Sequence, residues 1–256
     1  MPVAGVDIGS VAAKAVVFDP ESRVILGSAV LPTGWNSREA GEKVLAAACA
    51  DAGLSTPSCI VGTGYGRVSL PFAAKAVTEI TCHALGAVHL FPRTGVVLDI
   101  GGQDSKVIST ESDGSVRDFM MNDKCAAGTG RFLQVLSGIL GMELTELGEA
   151  AGRGTPAAIS SMCAVFAETE IIGLLAQGTP PENIAAGVFR SIARRMAALA
   201  SRIPMTGECT FTGGLGISPS FDRILSTELG IPVNIPDQPQ IAGALGAALV
   251  TTRPTK

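Results

Sequence analysis

The sequence predicts an α/β protein built from two similar lobes that share a cleft. Apolar runs with strand character alternate with helical stretches along the chain, which is the pattern of layered α/β folds. The length of 256 residues suits one large domain or two small ones, and a hydrophobic fraction of 46% is enough for a buried core. A short internal repeat indicates that the two halves are copies of one unit.

The repeat consists of a strand, a turn and a second strand. The copy that begins at Val3 reads VAGVDIGSVAAKAVVF, and the copy that begins at Gly95 reads GVVLDIGGQDSKVIST. Four positions are identical at a constant offset of 92 residues, namely the pairs Asp7 and Asp99, Ile8 and Ile100, Gly9 and Gly101, and Lys14 and Lys106. This agreement favours duplication of one unit over chance.

The repeated turn has the chemistry of a phosphate and metal site. Each strand ends at an aspartate, and the glycine that follows lets backbone N–H groups approach an anion. Hydrated Mg²⁺ takes oxygen ligands and retains water, so it would mediate between the carboxylates and a polyphosphate such as ATP. Asp7 and Asp99 are therefore predicted to orient Mg²⁺ and water, with both turns on the phosphates. The alternative is two β-hairpins with ordinary glycine turns.

The first half is predicted to begin with three strands and to end in a helix. Short apolar runs predict the strands, and longer stretches without proline predict the helices. The last helix stops before Pro92, because proline cannot continue a helix. The predicted strands are 3–8, 14–18, 23–31 and 59–62, and the predicted helices are 38–52 and 79–90.

The second half restarts with strands and then becomes mostly helical. Pro180-Pro181 is expected to open a helix, since the missing N–H of proline would be unpaired there anyway. Gly213-Gly214 ends a strand and permits close approach of a flat group such as adenosine, although a plain tight turn is equally compatible. The predicted strands are 95–100, 105–110, 116–120, 208–212 and 233–235, and the predicted helices are 131–140, 162–176, 182–203, 219–229 and 240–252.

The two halves are joined without a long linker, which predicts two lobes around one cleft. The boundary near 91–94 is short. We expect the first lobe to span residues 1–92 and to be completed by the C-terminal segment 240–256. The second lobe is expected to span residues 93–239.

Composition and charge argue against several other classes. A net charge of −4 creates no field that would draw in nucleic acid, and the basic residues at 190, 194, 195 and 202 are interpreted as a solvated helix face. No run reaches the roughly 18 apolar residues of a membrane span, and no signal peptide is recognisable, so a cytoplasmic protein is expected. The patterns GxxxxGK(S/T), GxSxG and HExxH are absent, and His83 and His89 are interpreted as core or surface residues.

Several segments resemble the activators of 2-hydroxyacyl-CoA dehydratases, the BadF/BadG/BcrA/BcrD-type ATPases, which include ATPase subunits of benzoyl-CoA reductase type. The resemblance covers nearly the whole chain and is most specific in MNDKCAAGTGRF, from Met121 to Phe132. The other matching segments are TGYGR at 63–67, EITCH at 79–83, DIGGQDSK at 99–106, SMCAVFAETE at 161–170 and FTGG at 211–214. The resemblance implies two RNase H-like lobes of the acetate kinase/Hsp70/actin superfamily, with a nucleotide in the cleft between them.

The resemblance also implies an iron–sulfur cofactor and a redox partner. In that family a homodimer holds one [4Fe–4S] cluster between its subunits, and the two ligands of each subunit map to Cys125 and Cys163. ATP hydrolysis then drives an electron to a dehydratase-type or aryl-CoA reductase-type partner, with ferredoxin or flavodoxin as electron donor. By spacing alone both cysteines would be interpreted as core residues, since none of the six cysteines forms a C-x-x-C pair. Cys125 lies just before the predicted helix 131–140, and Cys163 lies at the start of the predicted helix 162–176. Both places favour the ligand role, because helix N-termini stabilise anionic sulfur.

Residues of both turns and of the third glycine site are expected to bind ATP. Gln103 or Asp104 is expected to position the attacking water, since phosphoryl transfer is catalysed mostly by positioning and charge stabilisation. The expected nucleotide contacts are Gly9, Ser10, Val11, Ala12, Ala13, Lys14, Gly101, Gly102, Gln103, Gly213 and Gly214. Val11 and Ala13 stand where the family usually carries hydroxyl residues, so phosphate contacts there are expected to depend more on backbone N–H groups, with lower affinity for ATP.

Two other functions are compatible with the same fold. A small-molecule kinase would show ATP turnover stimulated by a sugar or a carboxylate, but two lobes leave little chain for an inserted substrate-binding element. An actin-like scaffold would form nucleotide-dependent filaments instead of a discrete dimer.

Overall fold

The structure is a computed structural model that describes residues 1–160 and 164–253. The chain is an α/β protein, as the sequence predicts, and its described part contains two five-stranded sheets. The first sheet consists of β1 (Val3–Ile8), β2 (Ala12–Asp19), β3 (Val24–Pro32), β4 (Ile60–Thr63) and β5 (Lys75–Ala76). The second consists of β6 (Thr94–Ile100), β7 (Ser105–Thr110), β8 (Val116–Asn122), β9 (Glu208–Gly213) and β10 (Val233–Asn234).

The two sheets have the same topology, strand for strand. The order is β3-β2-β1-β4-β5 in the first sheet, and the matching order β8-β7-β6-β9-β10 in the second. In each sheet the first three strands pair antiparallel, and the fourth strand runs parallel to the first. This identity of topology agrees with the duplication predicted from the repeat.

Strand register explains the spacing of the repeated residues. Asp7 lies directly opposite Lys14 across β1 and β2, and Asp99 lies opposite Lys106 across β6 and β7. On the other side of each aspartate, the parallel neighbour is a threonine, Thr63 beside Asp7 and Thr212 beside Asp99. A lysine seven residues after the aspartate is therefore its cross-strand neighbour, within reach of an ion pair.

Eight helices are described, and their ends carry recognisable signals. They are α1 (Ser37–Asp51), α2 (Glu79–Leu90), α3 (Gly130–Leu140), α4 (Leu144–Arg153), α5 (Ala164–Ala176), α6 (Pro181–Ala200), α7 (Phe221–Leu229) and α8 (Ala242–Val250). Asn36 and Thr78 cap the N-termini of α1 and α2 through their side chains. Pro181 opens α6, as predicted, and Gly141 ends α3 in the left-handed conformation with a φ of 64°.

The helices form layers on both sides of the sheets. The first sheet packs against α1 on one face and against α8 on the other. Helix α2 packs against both α8 and the second sheet, so α2 and α8 lie between the two sheets. The other face of the second sheet is covered by α6, and this core includes Leu98, Phe189 and Phe211.

The structure differs from the predicted elements at a few places. Helix α4 and the short strand β5 were not predicted, and α6 ends at Ala200. The helix predicted from residue 162 is described from Ala164 as α5, and residues 161–163 lie outside the described residues. Arg190 and Arg194 lie on a solvated face and pair with Glu228, but Arg195 is half-buried with its side chain against Gly128.

In the part of the chain that is described, no helix combines the length and the apolar character needed to cross a membrane.

Candidate functional site

A cavity of about 620 Å³ lies between the two sheets, where β1 and β6 end. Its volume is within the range of roughly 300–1,000 Å³ that is typical of small-ligand sites. The predicted site residues that line it are Asp7, Gly9, Ser10, Val11, Ala12, Lys14, Asp99, Gly101, Gly102, Gln103, Asp104, Gly213 and Gly214. The fold therefore brings both repeated turns and the third glycine site to one cavity.

The two repeated turns share one hydrogen-bond pattern. The backbone N–H of Gly9 donates to the carbonyl of Ala12 over 3.0 Å, and that of Gly101 donates to the carbonyl of Asp104 over 2.9 Å. Side chains alternate between the faces of the strand that follows the first turn. The methyl group of Ala13 is consequently buried in the core of the first sheet, so this residue does not line the cavity.

Each lobe presents one buried aspartate that is paired with a lysine. The Oδ2 atom of Asp7 lies 3.3 Å from Nζ of Lys14, and the Oδ2 atom of Asp99 lies 3.3 Å from Nζ of Lys106. Lys106 also contacts Oδ2 of Asp104 at 2.6 Å. Burial lowers the pKa of Lys106, but the two carboxylates outweigh burial and raise this pKa above its usual range. Lys106 is thus a fixed cation behind the second turn.

The two aspartates differ in how their oxygens are occupied. Burial raises the pKa of Asp99, but His83, Lys106 and a hydrogen bond from Thr212 outweigh burial and lower the pKa to about 2. Thr212 Oγ1 donates to Oδ1 of Asp99 over 2.9 Å, so both oxygens of this carboxylate are held. Among the described residues, Oδ1 of Asp7 has no hydrogen-bond partner, and it is therefore available to a hydrated cation.

The two candidates for positioning water also differ. The carboxylate of Asp104 is held by Lys106. The side chain of Gln103 is exposed in the cavity wall and makes no hydrogen bond to any part of the chain that the structure describes. Its amide can therefore donate to, or accept from, a water molecule or a phosphate oxygen.

The third glycine site leaves the backbone open to a ligand. Gly213 has a φ of 100°, a conformation that favours glycine. A methyl group placed on Gly214 would meet only the amide of Gln240, at 3.3 Å. A flat ligand can therefore approach the backbone at the end of β9.

Other residues line the cavity without having been predicted from the sequence. They are Gly64, Tyr65, Glu79, His83, Ile100, Lys106, Met121, Asp123, Gly130, Leu133, Gln134, Ser137, Glu143, Leu144, Leu215 and Gln240. Half of them come from α2, α3 and the loops before α4 and α8, which meet only in the folded chain. His83 is buried, as a core histidine would be, but it also faces this cavity.

Cys125 lies outside the cavity, in a turn that a neighbouring side chain fixes. The Asn122 side chain accepts a hydrogen bond from the Cys125 backbone N–H over 3.2 Å and donates to its carbonyl over 3.1 Å. A 3₁₀ turn at Ala126–Gly128 follows directly and leads into α3. Cys163 lies outside the described residues.

Backbone hydrogen bonds join this segment to the wall of the cavity. The N–H groups of Gly130 and Arg131, at the start of α3, donate to the carbonyls of Gly101 and Gly102, each over 2.9 Å. The second turn of the cavity and the segment after Cys125 therefore form one hydrogen-bonded unit.

Most of the other described cysteines are poorly suited to bind a metal. Burial raises the pKa of the Cys82 and Cys209 thiols to about 12 each, which disfavours the thiolate. Cys125 is only half-buried, as is Cys59 in the first lobe. Within residues 1–160 and 164–253, no group of three or more histidine, cysteine, aspartate or glutamate side chains is arranged to hold a metal ion.

Comparison with known proteins identifies the family. The sequence profile of the BadF/BadG/BcrA/BcrD ATPase family matches residues 4–251. The chain belongs to this ATPase family. It is 46% identical to YjiL of Escherichia coli (strain K12), over 97% of this chain and 96% of that protein.

Two solved structures are similar to this ATPase over almost its whole length. One is the activator of the 2-hydroxyisocaproyl-CoA dehydratase from Clostridium difficile with bound ADPNP, at a TM-score of 0.92 and 38% identity, covering 98% of this chain and 94% of that one. The other is component A of the (R)-2-hydroxyglutaryl-CoA dehydratase of Acidaminococcus fermentans, at a TM-score of 0.93 and 37% identity, covering 98% and 97%. The predicted fold class, two lobes of the acetate kinase/Hsp70/actin type, is thereby confirmed for this ATPase.

Proposed function

We propose that this ATPase is an activator that transfers a low-potential electron to a 2-hydroxyacyl-CoA dehydratase-type or aryl-CoA reductase-type partner. One observation carries the proposal: backbone hydrogen bonds connect the second turn of the nucleotide cavity to the segment that holds Cys125. They join a site suited to ATP with a cysteine suited to an iron–sulfur cluster. The names of the two similar solved structures, both parts of dehydratase systems, support the same role.

The proposed nucleotide site divides its tasks between the two lobes. Mg²⁺, when bound with ATP, neutralises charge on the phosphate oxygens. The open Oδ1 atom of Asp7 orients the water shell of this ion, and Asp99 orients water from the opposite lobe. Gln103 positions the attacking water, because its amide has no competing partner among the described residues. The turns after Asp7 and Asp99 hold the phosphates through backbone N–H groups, and Gly213-Gly214 receives the nucleoside.

The proposed lobes follow the two sheets. Residues 1–92 with 240–256 form the first lobe, and residues 93–239 form the second. The packing of α8 on the first sheet supports this division. Helix α2, from the first segment, packs on the second sheet as well, so movement between the lobes is transmitted through α2 and α8.

The coupling step in the proposal is a displacement of the second turn when ATP is hydrolysed. Gly101 and Gly102 accept hydrogen bonds from the first N–H groups of α3, so a shift of this turn pulls on the start of that helix. The segment from Cys125 to α3 then moves as well, because a short 3₁₀ turn is all that separates them. Hydrolysis thereby changes the surroundings of the Cys125 thiolate.

Cys125 suits an iron–sulfur ligand in its position and in its exposure. It is half-buried, its backbone is fixed by Asn122, and it directly precedes the 3₁₀ turn that leads into α3. A [4Fe–4S] cluster, which takes four thiolates, supplies one-electron transfer when bound. Two subunits that each contribute Cys125 and Cys163 meet this requirement across a twofold axis. Ferredoxin or flavodoxin is the proposed electron donor.

The test is the iron and acid-labile sulfide content of anaerobically purified protein, measured beside its mass in size-exclusion chromatography. We expect about two irons and two sulfides per chain in a dimer, as one shared four-iron cluster requires. Cys125→Ser is expected to lose both. The matched control is Cys59→Ser, another half-buried cysteine, directly before β4, which is expected to keep them.

An iron-free monomer that hydrolyses ATP would contradict the electron-transfer proposal and leave the ATPase assignment intact. The same holds if Cys125→Ser retains the iron content of the unchanged protein. Sugar-stimulated turnover or nucleotide-dependent filaments would then indicate a kinase or a scaffold.

A further inference from the structure

His83 occupies the space between the two lobes at the base of the cavity. It lies on α2, which packs against α8 and the second sheet, and only 6% of its surface is exposed. Its Nδ1 atom lies 3.0 Å from Oγ1 of Thr212, its shorter contact, and 3.4 Å from Oδ1 of Asp99. Thr212 in turn donates to Oδ1 of Asp99 over 2.9 Å. A buried relay therefore runs from α2 to the catalytic carboxylate of the second lobe.

The direction of this relay follows from the protons that are available. Asp99 is ionised, since its pKa is about 2, so its oxygens only accept hydrogen bonds. The single hydroxyl proton of Thr212 is used in the bond to Asp99. The Thr212 oxygen must then accept from His83, which assigns a proton to Nδ1 of the imidazole. His83 donates to Thr212, and Thr212 donates to Asp99.

The arrangement breaks the symmetry of the duplicated lobes. Thr63 is the strand neighbour of Asp7, as Thr212 is of Asp99. Within the described residues, no hydrogen bond joins Thr63 to Asp7, and no histidine donates a hydrogen bond to either of them. Each aspartate has its own lysine partner. Only Asp99 is held by a threonine and a histidine as well.

The opposite edge of the imidazole is enclosed by the first lobe and by α8. A methyl group placed on Gly243 would lie 2.8 Å from Nε2 of His83 and 3.0 Å from Oδ2 of Asp7. The imidazole ring is therefore confined by the crossing of α2 and α8 and by the carboxylates of Asp7 and Asp99. A side chain confined in this way holds one orientation, which it passes on to Thr212.

We propose that His83 is a positioning residue for ATP hydrolysis, which fixes the carboxylate of Asp99 through Thr212. It acts by preventing rotation of a carboxylate that must face the reacting water. This inference depends on the role proposed above for Asp99. The closing experiment therefore includes a direct test of that role.

The first measurement compares kcat and KM for ATP in His83→Leu and His83→Asn. Leucine fills the space without a donor, whereas the asparagine amide places an N–H close to the position of Nδ1. We expect His83→Leu to lower kcat about 10–100-fold with KM changed less than about threefold, since the lost hydrogen bond acts on a charged group in the transition state. His83→Asn is expected to recover most of the loss. His89→Leu, on the same helix but outside the cavity, is the control and is expected to retain full activity.

The second measurement is a double-mutant cycle with Thr212→Val. If His83 acts through Thr212, the double variant is no more impaired than the worse single variant. The proposal is overturned if the effects of His83→Leu and Thr212→Val on kcat multiply fully in the double variant. It is also overturned if His83→Asn is as slow as His83→Leu, or if His83→Leu changes only KM. Asp99→Asn distinguishes the proposed role of Asp99 from the proposed role of His83. Full activity in Asp99→Asn removes the role of Asp99 itself, whereas an inactive Asp99→Asn beside a normal His83→Leu removes only the role of His83.

Discussion

Asp99 is the residue at which burial and charge compete most strongly in this ATPase. Its side chain is almost fully buried, which by itself would favour the neutral acid. His83 at 3.4 Å, Lys106 at 3.3 Å and the hydrogen bond from Thr212 stabilise the carboxylate enough to reverse that effect. The Asp99 carboxylate is thus kept ionised and oriented at the wall of the cavity.

The lowered pKa of Asp99 predicts a specific pH dependence of stability. The pKa falls from 3.8 to about 2 on folding, so the ionised group stabilises the fold above about pH 4, and this contribution is lost as the pH falls towards 2. Between pH 5 and pH 3 the loss amounts to roughly 1 kcal/mol. Urea unfolding at both pH values, in the unchanged protein and in Asp99→Asn, measures it.

We expect the free energy of unfolding of Asp99→Asn to fall less between pH 5 and pH 3 than that of the unchanged protein. The other carboxylates are common to both proteins, so their titration cancels in the comparison. Parallel curves for the two proteins would mean that Asp99 has a similar pKa in the folded and unfolded chains.

At the scale of elements, the crossing of α2 and α8 determines how closely the lobes approach. Methyl groups placed on Gly246 and Gly86 would overlap the backbone carbonyls of Cys82 and Ala242 in the facing helix. The two helices therefore meet backbone to backbone, without side chains between them. This close approach allows His83, on α2, to reach residues of both lobes.

The close crossing of α2 and α8 predicts that two glycine-to-alanine substitutions change the stability of the fold in opposite directions. Gly246→Ala should destabilise the fold by about 1–3 kcal/mol or more. The added methyl group has no space, because the nearest atoms are backbone atoms of Cys82 in the facing helix. Gly138→Ala, at an exposed position in α3 with open space around it, should instead stabilise by about 0.5–1 kcal/mol through helix propensity. Chemical denaturation of both variants measures the difference. Equal effects would contradict the tight crossing.

The elements themselves could largely be predicted from the sequence, and the exception has a physical reason. Helix α4 contains Gly148 and Gly152, which lower helix propensity, so local pattern does not favour it. Methyl groups at both positions would collide with the loop at 218–220, so the glycines are required by packing against that loop. Tertiary contact here overrides a weak local preference, and no local pattern can show it.

In the candidate site, too, features set by local sequence could be predicted, and features set by contacts between distant residues could not. The two turns were predictable because the repeat places Asp, Gly and Lys at fixed spacing on paired strands. His83 was not, because its importance comes from Thr212, which is 129 residues away in the chain. Ala13 was expected to contact the nucleotide. Side chains alternate between the two faces of β2, however, and that of Ala13 points into the core.

At the scale of the whole molecule, the two repeated turns touch each other across the cleft. A methyl group placed on Gly102 would overlap Cγ2 of Val11 and lie 2.9 Å from Oγ of Ser10. Val11, which stands where the family usually has a hydroxyl residue, therefore packs against the second turn. The contact links the first lobe to the same turn that holds the start of α3. In the proposed mechanism, closure of the lobes and movement of the Cys125 segment both act through this turn.

This contact predicts a pair of substitutions in which the second relieves the first. Gly102→Ala should prevent the turns from closing on each other and lower ATP turnover, since its methyl group overlaps Val11. Adding Val11→Ala removes the overlapping Cγ2 atom and leaves the Val11 Cβ 3.1 Å from the new methyl group, so turnover should partly recover. Val11→Ala alone, measured in parallel, is expected to have the smallest effect of the three. If Gly102→Ala and Val11→Ala instead act independently, the loss in Gly102→Ala comes from phosphate contacts within the second lobe, and closure does not require the two turns to meet.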